Sequence, residues 1–284
     1  MLYDVIIVGS GPAGISASLY AKRRKLSVLV ISKGKGALGK TEQIDNYYGF
    51  PKGISGKELY QNGIEQAKTL GVELIGDEVV ALSYLENFEV ETINSKYYAK
   101  AVILATGTNR VTPNIKGIRE FEGKGVSYCA ICDAFFFRGK DVAVLGNGNY
   151  AIHEMEQLKP VVASVSILTN GEEMIENRDV EVDIDSRKIR EFRGDGKLAE
   201  IEFEDNTKKQ VHGVFVAVGT ASSNDLARKI GARIENNHIV VNENMETTVP
   251  GLFACGDCTG GLLQISKAVY EGAKAGVTVL KKQY

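Results

Sequence analysis

The four cysteines of the chain occur as two pairs with the same spacing. Cys129 and Cys132 belong to the segment CAIC, and Cys255 and Cys258 belong to the segment CGDC. This spacing permits a redox disulfide, and two such pairs together could also form a four-cysteine zinc site. Zinc is disfavoured because a long stretch of chain separates the pairs, so we expect no metal site. For Cys255 and Cys258 two interpretations stay open, buried core residues or an auxiliary redox pair.

The first thirty residues have the pattern of a βαβ unit. The apolar run YDVIIVG is followed by a glycine turn, a segment with helical periodicity and a second apolar run, SVLVIS. Gly9, Gly11 and Gly14 complete G-x-G-x-x-G directly after the first strand. Such glycines permit a tight turn, a close approach of pyrophosphate and close packing of helix on strand. The sequence therefore predicts a dinucleotide-binding unit here.

The same layout recurs in the middle of the chain. The run DVAVL leads into Gly146, Gly148 and Ala151, a G-x-G-x-x-A variant, and then into a helical segment and the strand SVSILT. The first module closes with VILATGT (102–108) and the second with VFVAVGT (214–220). We therefore predict two nucleotide-binding-like modules, of which the second is shorter.

The C-terminal part has no glycine turn of the nucleotide-binding type. A strand ending at Phe253 and Ala254 meets Gly256 and Asp257, and a helix follows. This part most simply returns to the first domain, with crossings near 108–114 and 238–244. The predicted boundaries are 1–110 with 242–284 for the first domain, and 111–241 for the inserted domain.

The composition of the chain argues against nucleic-acid binding and membrane binding. The chain has 284 residues, 44% hydrophobic and 25% charged, with a formal net charge of -2. This balance gives no overall attraction to nucleic acid or to an anionic membrane. The chain begins directly in an apolar run, without the pattern of a signal peptide, and its apolar runs are shorter than a membrane span. We expect a cytoplasmic protein without nucleic-acid or membrane partners.

Four segments, GSGPAG, ATG, CAICDAFFFRGKDV and VPGLFACGD, together resemble the low-molecular-weight flavin-dependent thioredoxin reductase family, and the resemblance extends from end to end. It implies an α/β fold of two Rossmann-like FAD/NAD(P)-binding domains, each a three-layer ββα structure, the second inserted into the first. It also implies bound FAD, a homodimer, and a domain rotation that shows the CxxC alternately to the flavin and to thioredoxin.

The resemblance implies catalytic roles for three residues. The cysteine matching Cys132 faces the reactive carbon of the flavin, and the one matching Cys129 attacks the thioredoxin disulfide. Asp133 matches the acid that manages the proton of the thiol. The chemistry is compatible with these roles, because thiolate is the nucleophile in disulfide exchange and a nearby carboxyl group can shuttle a proton.

The resemblance also implies a set of FAD-binding residues. They are Gly9, Gly11, Pro12, Ala13, Gly14, Ser32, Asn46, Ala105, Thr106, Gly107, Gly256, Asp257, Gln264 and Ile265. Asp257 is expected to bond the ribityl chain, and Gln264 with the following helix to place positive dipole near the pyrimidine edge of the flavin. Ser32 departs from the family pattern, which has an acid there, so we expect a weaker or indirect contact with the adenosine ribose.

The second module lacks the charges that would hold NADPH. In this family, arginine or lysine after the strand matching SVSILT meets the 2'-phosphate, but no lysine or arginine lies between Lys159 and Arg178. Three glutamates occupy this stretch instead, Glu172, Glu173 and Glu176. Tyr150 stands where the family has a small residue, and either adds bulk along the nucleotide path or packs in the domain. NADPH is therefore disfavoured, although an acid there could accept an NADH ribose hydroxyl.

Members of the family without the NADPH residues are ferredoxin-dependent flavin thioredoxin reductases, and the chain resembles these. We expect reduced ferredoxin as electron donor and thioredoxin as acceptor. Ferredoxins are generally acidic, so a basic patch is needed for docking. The candidates are Lys22, Arg23, Arg24, Lys25, Lys33, Lys35 and Lys40. The first four also suit a solvated helix end.

Two alternatives remain beside this interpretation. One keeps the fold and uses NADH or NADPH at a weakened site. The other is a flavoprotein without thioredoxin turnover, such as a redox sensor that retains the CxxC.

Overall fold

The computed structural model describes residues 1–107, 113–175 and 182–280. The strands are β1 (Leu2–Val8), β2 (Val28–Ile31), β3 (Glu73–Ile75), β4 (Val79–Tyr84), β5 (Phe88–Thr92), β6 (Lys96–Leu104), β7 (Val126–Ser127), β8 (Asp141–Leu145), β9 (Ser164–Leu168), β10 (Asp183–Asp185), β11 (Ile189–Arg193), β12 (Glu200–Phe203), β13 (Lys208–Gln210), β14 (Gly213–Val216), β15 (Ile234–Glu235), β16 (His238–Ile239) and β17 (Leu252–Ala254). The helices are α1 (Pro12–Arg23), α2 (Gly56–Thr69), α3 (Ala130–Asp133), α4 (Asn149–Leu158), α5 (Ser223–Lys229) and α6 (Ile265–Thr278). Within these described ranges, no helix is both long and apolar enough to cross a membrane.

The chain divides into two compact units. The first comprises Met1–Asn109 with Ser222–Tyr284, and the second comprises Arg110–Ala221. The return to the first unit therefore lies at 221–222, whereas the sequence pattern placed it at 241–242. Helix α5 packs against β4 of the first unit, and the Ser223 backbone amide donates to Thr106 Oγ1 over 2.9 Å. These contacts place residues 222–241 with the first unit rather than with the inserted one.

In the first unit, parallel strands bring the predicted dinucleotide-binding turns to one sheet edge. The strand order is β3-β2-β1-β6-β5-β4, and β17 also pairs with β6. Val8 at the end of β1 lies opposite Ile31 and Leu104, and Ala254 of β17 also lies opposite Leu104. The turns after β1, β2, β6 and β17 therefore leave the same edge, where ligands of open α/β sheets bind.

Helix α6 is held close to α1 by two glycines. A Cβ added to Gly272 would overlap the Ala13 carbonyl oxygen, and one added to Gly276 would overlap the Ala17 carbonyl oxygen. Both helices cover β1 and β6, whose apolar residues are buried together with those of α1 and α6. This close packing places the start of α1 against the middle of α6, at Gly272.

The second unit repeats the parallel arrangement in a smaller form. Its parallel sheet has the order β10-β9-β8-β14-β7, and β11, β12 and β13 form a separate antiparallel sheet. Leu145 at the end of β8 lies opposite Leu168 of β9 and Val216 of β14. The predicted α/β fold with two nucleotide-binding-like modules is confirmed.

Candidate functional site

The turn between β1 and α1 has the close packing that its glycines predict. Gly9 has a positive φ of 110°, and a Cβ added there would overlap the Ala105 carbonyl oxygen and lie 3.1 Å from the Thr106 Cα. A Cβ on Gly14 would overlap the Gly9 carbonyl oxygen. At Gly11, by contrast, an added Cβ would have nothing within 4 Å. The turn is therefore packed on its protein side and open at Gly11.

Helix α1 begins at this open position with the features of an anion site. Pro12 occupies the first turn, and Gly11 is an N-cap without a side-chain cap hydrogen bond. The first-turn amides and the positive end of the helix dipole are thus available to a pyrophosphate. Ala13 lies beside Gly256, since a Cβ on Gly256 would be 2.8 Å from that of Ala13. These residues fit a dinucleotide.

A polar network fixes the turn at Gly256 and Asp257. The Gly256 amide donates to Glu271 Oε2 over 2.8 Å, and Lys267 Nζ donates to the Gly256 carbonyl oxygen over 2.8 Å. Lys267 and Glu271 form an ion pair at 3.1 Å, and both also bond the Thr259 hydroxyl. Neither Lys267 nor Glu271 belongs to the residues predicted from the sequence. Their one visible signal is the i, i+4 spacing of opposite charges on a helix.

This network also surrounds the carboxyl group of Asp257. Burial raises its pKa above the ordinary value, the Lys267 ammonium opposes this change, and the Glu271 carboxylate adds to it. Asp257 itself is half-buried, so one side of it remains accessible. A hydroxyl-bearing ligand at this point would meet a carboxyl group held in a fixed turn.

One further pair of predicted FAD-binding residues is brought together, and another predicted residue, Thr106, bonds a serine that was not predicted. Asn46 Nδ2 donates to Gln264 Oε1 over 3.1 Å, although the residues are far apart in sequence. Gln264 is the N-cap of α6, and Ile265 begins the helix, so its positive end lies at this pair. The Thr106 and Ser223 hydroxyls lie 2.7 Å apart. Gly107, next to Thr106, has a φ of 85° that favours glycine.

The hydroxyl and the amide of Ser32, at the end of β2, both bond within the chain. The Ser32 hydroxyl donates to the Gly34 carbonyl oxygen over 3.1 Å, and the Ser32 amide donates to the Ile75 carbonyl oxygen. The neighbouring Lys33 forms an ion pair at 2.6 Å with the buried Glu78. A hydroxyl that already bonds within its own turn is a weaker hydrogen-bond partner for a ribose hydroxyl than a carboxylate would be.

In the second unit, Cys129 and Cys132 form a disulfide with a sulfur to sulfur distance of 2.08 Å. Cys129 is the N-cap of α3, and its sulfur accepts a hydrogen bond from the Cys132 amide over 3.2 Å. Cys129 is buried and Cys132 is exposed. The predicted redox pair is therefore joined at the start of a short helix.

Asp133 is held by Ser127, a residue that was not predicted from the sequence. Ser127 Oγ donates to Asp133 Oδ2 over 2.6 Å and accepts from the Cys129 amide over 3.1 Å. The serine thus links the carboxyl group to the backbone of the first cysteine. Asp133 is half-buried and directly follows Cys132, a position from which it could exchange protons with a thiol.

Large apolar side chains are exposed around the disulfide. Ile131, Phe135 and Phe136 are 53%, 69% and 68% exposed. The guanidinium of Arg138 lies 5.2 Å from the centroid of the Phe135 ring. Exposed aromatic residues beside a disulfide are typical of contact with a protein substrate.

The second glycine turn is covered by its own chain. The Asn147 side chain donates to the Glu173 carbonyl oxygen over 3.0 Å, and the Ile175 amide donates to the Asn147 carbonyl oxygen over 2.8 Å. Glu172 and Glu173 are exposed on this covering loop, and Glu176 lies outside the described residues. Tyr150 is fully buried, which favours the packing interpretation of this residue. The turn therefore differs from the open one at Gly11.

The second cysteine pair lies in the interior of the first unit. Cys255 and Cys258 are free thiols and fully buried. Burial raises the pKa of Cys258 to about 12 and raises that of Cys255 well above the ordinary value. Buried neutral thiols fit the interpretation as core residues. Among the residues with described positions, no cluster of three or more His, Cys, Asp or Glu could hold a metal ion.

The candidate docking cations differ in their surroundings. Arg23 and Lys25 are exposed at the end of α1, whereas Lys22 is half-buried. The guanidinium of Arg24 donates to the Val279 carbonyl oxygen. Lys33 is held by Glu78. Lys35 and Lys40 are exposed.

Comparisons with known proteins give consistent results. The family described as pyridine nucleotide-disulphide oxidoreductase matches residues 3–272. A thioredoxin reductase of Aquifex aeolicus (strain VF5) is 38% identical over 301 residues, covering 99% of this chain and 93% of the relative. A thioredoxin reductase of Bacillus subtilis (strain 168) is 33% identical over 298 residues, covering 98% of this chain and 94% of the relative.

Solved structures are similar over the same length. The atypical thioredoxin reductase of Desulfovibrio vulgaris Hildenborough has a TM-score of 0.93 and 38% identity, covering 96% of this chain and 95% of that chain. A ferredoxin-flavin thioredoxin reductase of Clostridium acetobutylicum has a TM-score of 0.74 and 34% identity, covering 98% of this chain and 96% of that chain.

Proposed function

The chain belongs to the pyridine nucleotide-disulphide oxidoreductase family and, within it, to the thioredoxin reductases, and we propose that it reduces thioredoxin with electrons from reduced ferredoxin. It is a flavoprotein disulfide oxidoreductase that binds FAD. The site residues Gly9, Gly11, Ala13, Asn46 and Asp257 are proposed to hold the dinucleotide. When bound, FAD supplies the chemistry that collects single electrons and delivers them as a pair.

One observation carries the choice of donor, namely the covered glycine turn of the second unit. The loop that bonds Asn147 through Glu173 and Ile175 lies where a nicotinamide dinucleotide would approach the turn. Glu172 and Glu173 on this loop would repel a 2'-phosphate. Similarity to the ferredoxin-flavin thioredoxin reductase of Clostridium acetobutylicum supports the same donor.

The energetics permit this transfer. A plant-type ferredoxin near roughly -400 mV and a thioredoxin-like disulfide near roughly -270 mV differ by about 130 mV, or roughly 6 kcal/mol for two electrons. Two reduced ferredoxins and two protons balance the conversion of one thioredoxin disulfide to two thiols. The exposed cations Arg23 and Lys25 are proposed to contribute to docking of the acidic donor.

The cysteines carry the exchange with thioredoxin in this proposal. The Cys129 thiolate attacks one sulfur of the thioredoxin disulfide, forming a mixed disulfide and releasing the other thioredoxin sulfur as a thiol. Cys132 then attacks Cys129, which releases the second thioredoxin thiol and restores the Cys129–Cys132 bond. Asp133 exchanges the proton that each thiol gains or loses. We also propose that the protein is a homodimer and is located in the cytoplasm.

Anaerobic reduction of the holoenzyme tests the donor. The oxidised enzyme is mixed in separate experiments with NADPH, NADH and reduced ferredoxin, and flavin bleaching is followed. We expect rapid bleaching by reduced ferredoxin alone, because the nucleotide turn is covered and carries acids. A nicotinamide-dependent thioredoxin reductase serves as the control. Rapid bleaching by micromolar NADPH would contradict the proposal and favour a nicotinamide-dependent enzyme.

A further inference from the structure

A buried acid lies against the redox helix of the second unit. Glu154 on α4 is 1% exposed, and its Oε2 accepts a hydrogen bond from the Ala130 amide over 2.8 Å. Ala130 is the first residue of α3 and directly follows Cys129, the N-cap. One oxygen of a buried carboxyl group therefore bonds the backbone amide that directly follows a cysteine of the redox disulfide. The exchange steps proposed above do not use this group.

The contact opposes a thiolate at Cys129 through its charge. The Cys132 amide donates to the Cys129 sulfur, whereas the Ala130 amide donates to Glu154 and stabilises a negative charge there instead. A carboxylate beside this turn repels a second negative charge in a medium where water screens little. The other acid of this region, Asp133, lies at the C-terminal end of the same short helix and bonds Ser127.

The two redox states of the cysteine pair respond differently to this acid. Reduction breaks the sulfur to sulfur bond, takes up two electrons and two protons, and leaves two thiols that can ionise. The disulfide carries no charge, so Glu154 has little electrostatic effect on it. Whatever disfavours the thiolate therefore disfavours the reduced form, and a less stable dithiol is a stronger reductant.

We propose that Glu154 is a positioning residue that sets the reducing power of the Cys129–Cys132 pair. Its hydrogen bond with Ala130 fixes the start of α3, and its charge keeps the dithiol less stable than the helix alone would make it. The cysteine pair thereby passes its electrons on to another disulfide more completely. The proposal rests on Cys129 and Cys132 as the redox pair, and not on the electron donor.

The test measures the equilibrium of the Cys129–Cys132 disulfide with a dithiothreitol redox buffer in the full-length holoenzyme near neutral pH. Dithiol and disulfide are quantified by alkylation and mass analysis of the peptide that contains both cysteines. Glu154→Gln keeps the size and an oxygen acceptor but removes the charge. We expect the equilibrium to shift toward the dithiol by about three- to tenfold, where tenfold corresponds to about 30 mV.

Two matched variants separate charge from packing. Glu156→Gln changes an exposed acid two positions later on the same helix and should leave the equilibrium unchanged. Glu154→Asp keeps the charge and should stay within about twofold of the wild type, since the charge is the main term. An unchanged equilibrium in Glu154→Gln, or an equal shift in Glu154→Asp, would overturn the proposal.

A second measurement applies if Glu154→Gln does not fold. In reduced Cys132→Ser enzyme, the alkylation rate of Cys129 is measured across a range of pH beside that of glutathione. Because Cys129 is buried, the pH midpoint of the rate is compared rather than the rate itself, and we expect a midpoint no lower than that of glutathione, since the acid suppresses the thiolate. A midpoint lower by about one pH unit or more, as for an activated helix N-cap cysteine, would overturn the proposal. Neither measurement uses ferredoxin or thioredoxin, so a wrong donor would leave both results unchanged.

Discussion

Cysteine pairs of identical spacing have opposite surroundings in this protein. Cys129 and Cys132 begin a short helix whose end is exposed, and they form a disulfide. Cys255 and Cys258 follow a buried strand and are fully buried, and the Cys258 thiol donates to the Cys255 carbonyl oxygen over 3.3 Å. A thiol in apolar surroundings is inert, because its reactive form is the thiolate. Spacing alone therefore does not distinguish the redox pair from the core pair.

The buried pair should make stability depend on alkaline pH. Burial raises the folded-state pKa of Cys258 from 9.0 to about 12, so its stabilising effect is complete below the unfolded value and is lost as pH rises through about 12. The unfolding free energy of the wild type should fall more steeply above pH 9 than that of Cys258→Ala. Urea unfolding at a series of pH values measures this difference. Parallel slopes would contradict it, whatever the offset caused by the lost side chain.

At the scale of elements, α6 organises one end of the proposed dinucleotide site. Gly272 allows the helix to lie against α1, and Lys267 and Glu271 on the same helix bond the turn at Gly256. Helix α6 thus couples α1, the proposed phosphate-binding helix, to the turn that carries Asp257. A substitution inside α6 should therefore weaken FAD binding even where the substituted side chain does not contact FAD.

Glu271→Gln tests this coupling. The substitution removes the ion pair with Lys267 and weakens the bond to the Gly256 amide, a charged hydrogen bond worth about 1.5–3 kcal/mol. We expect the dissociation constant of FAD to rise by about tenfold, or about 1.4 kcal/mol. Flavin fluorescence during reconstitution of the apoprotein measures it. Glu65→Gln, an exposed site on α2, is the control. Equal affinity in both variants would show that the network does not support the cofactor turn.

The glycine turns could be predicted from the sequence, because their spacing and the flanking apolar runs are local signals. Contacts such as Glu154 with Ala130 and Asn46 with Gln264 could not be, because they depend on the packing of distant elements. The segment HIVVN has the pattern of a strand, so the sequence places the return to the first unit there. The return lies earlier, at α5, and it could not be predicted because the polar start of this helix has no strand pattern.

For the whole molecule, the open mechanistic question is which of the two redox cysteines attacks thioredoxin first. The two units carry different parts of the proposed chemistry, with the proposed dinucleotide residues in one and the disulfide in the other. Family resemblance assigns the attack on thioredoxin to Cys129, yet Cys129 is buried and Cys132 exposed in the described conformation. The proposed order therefore requires Cys129 to become accessible during turnover.

Single-cysteine variants distinguish the two orders. Reduced Cys132→Ser should form a stable mixed disulfide with oxidised thioredoxin, because the resolving thiol is absent, whereas Cys129→Ser should form little. Cys129→Ser should also abolish thioredoxin reduction, while its flavin is still bleached by reduced ferredoxin. Non-reducing gels and mass analysis identify the joined cysteine, and bleaching reports the flavin. A mixed disulfide through Cys132 would reverse the order, and undiminished turnover in Cys129→Ser would exclude Cys129 from the exchange.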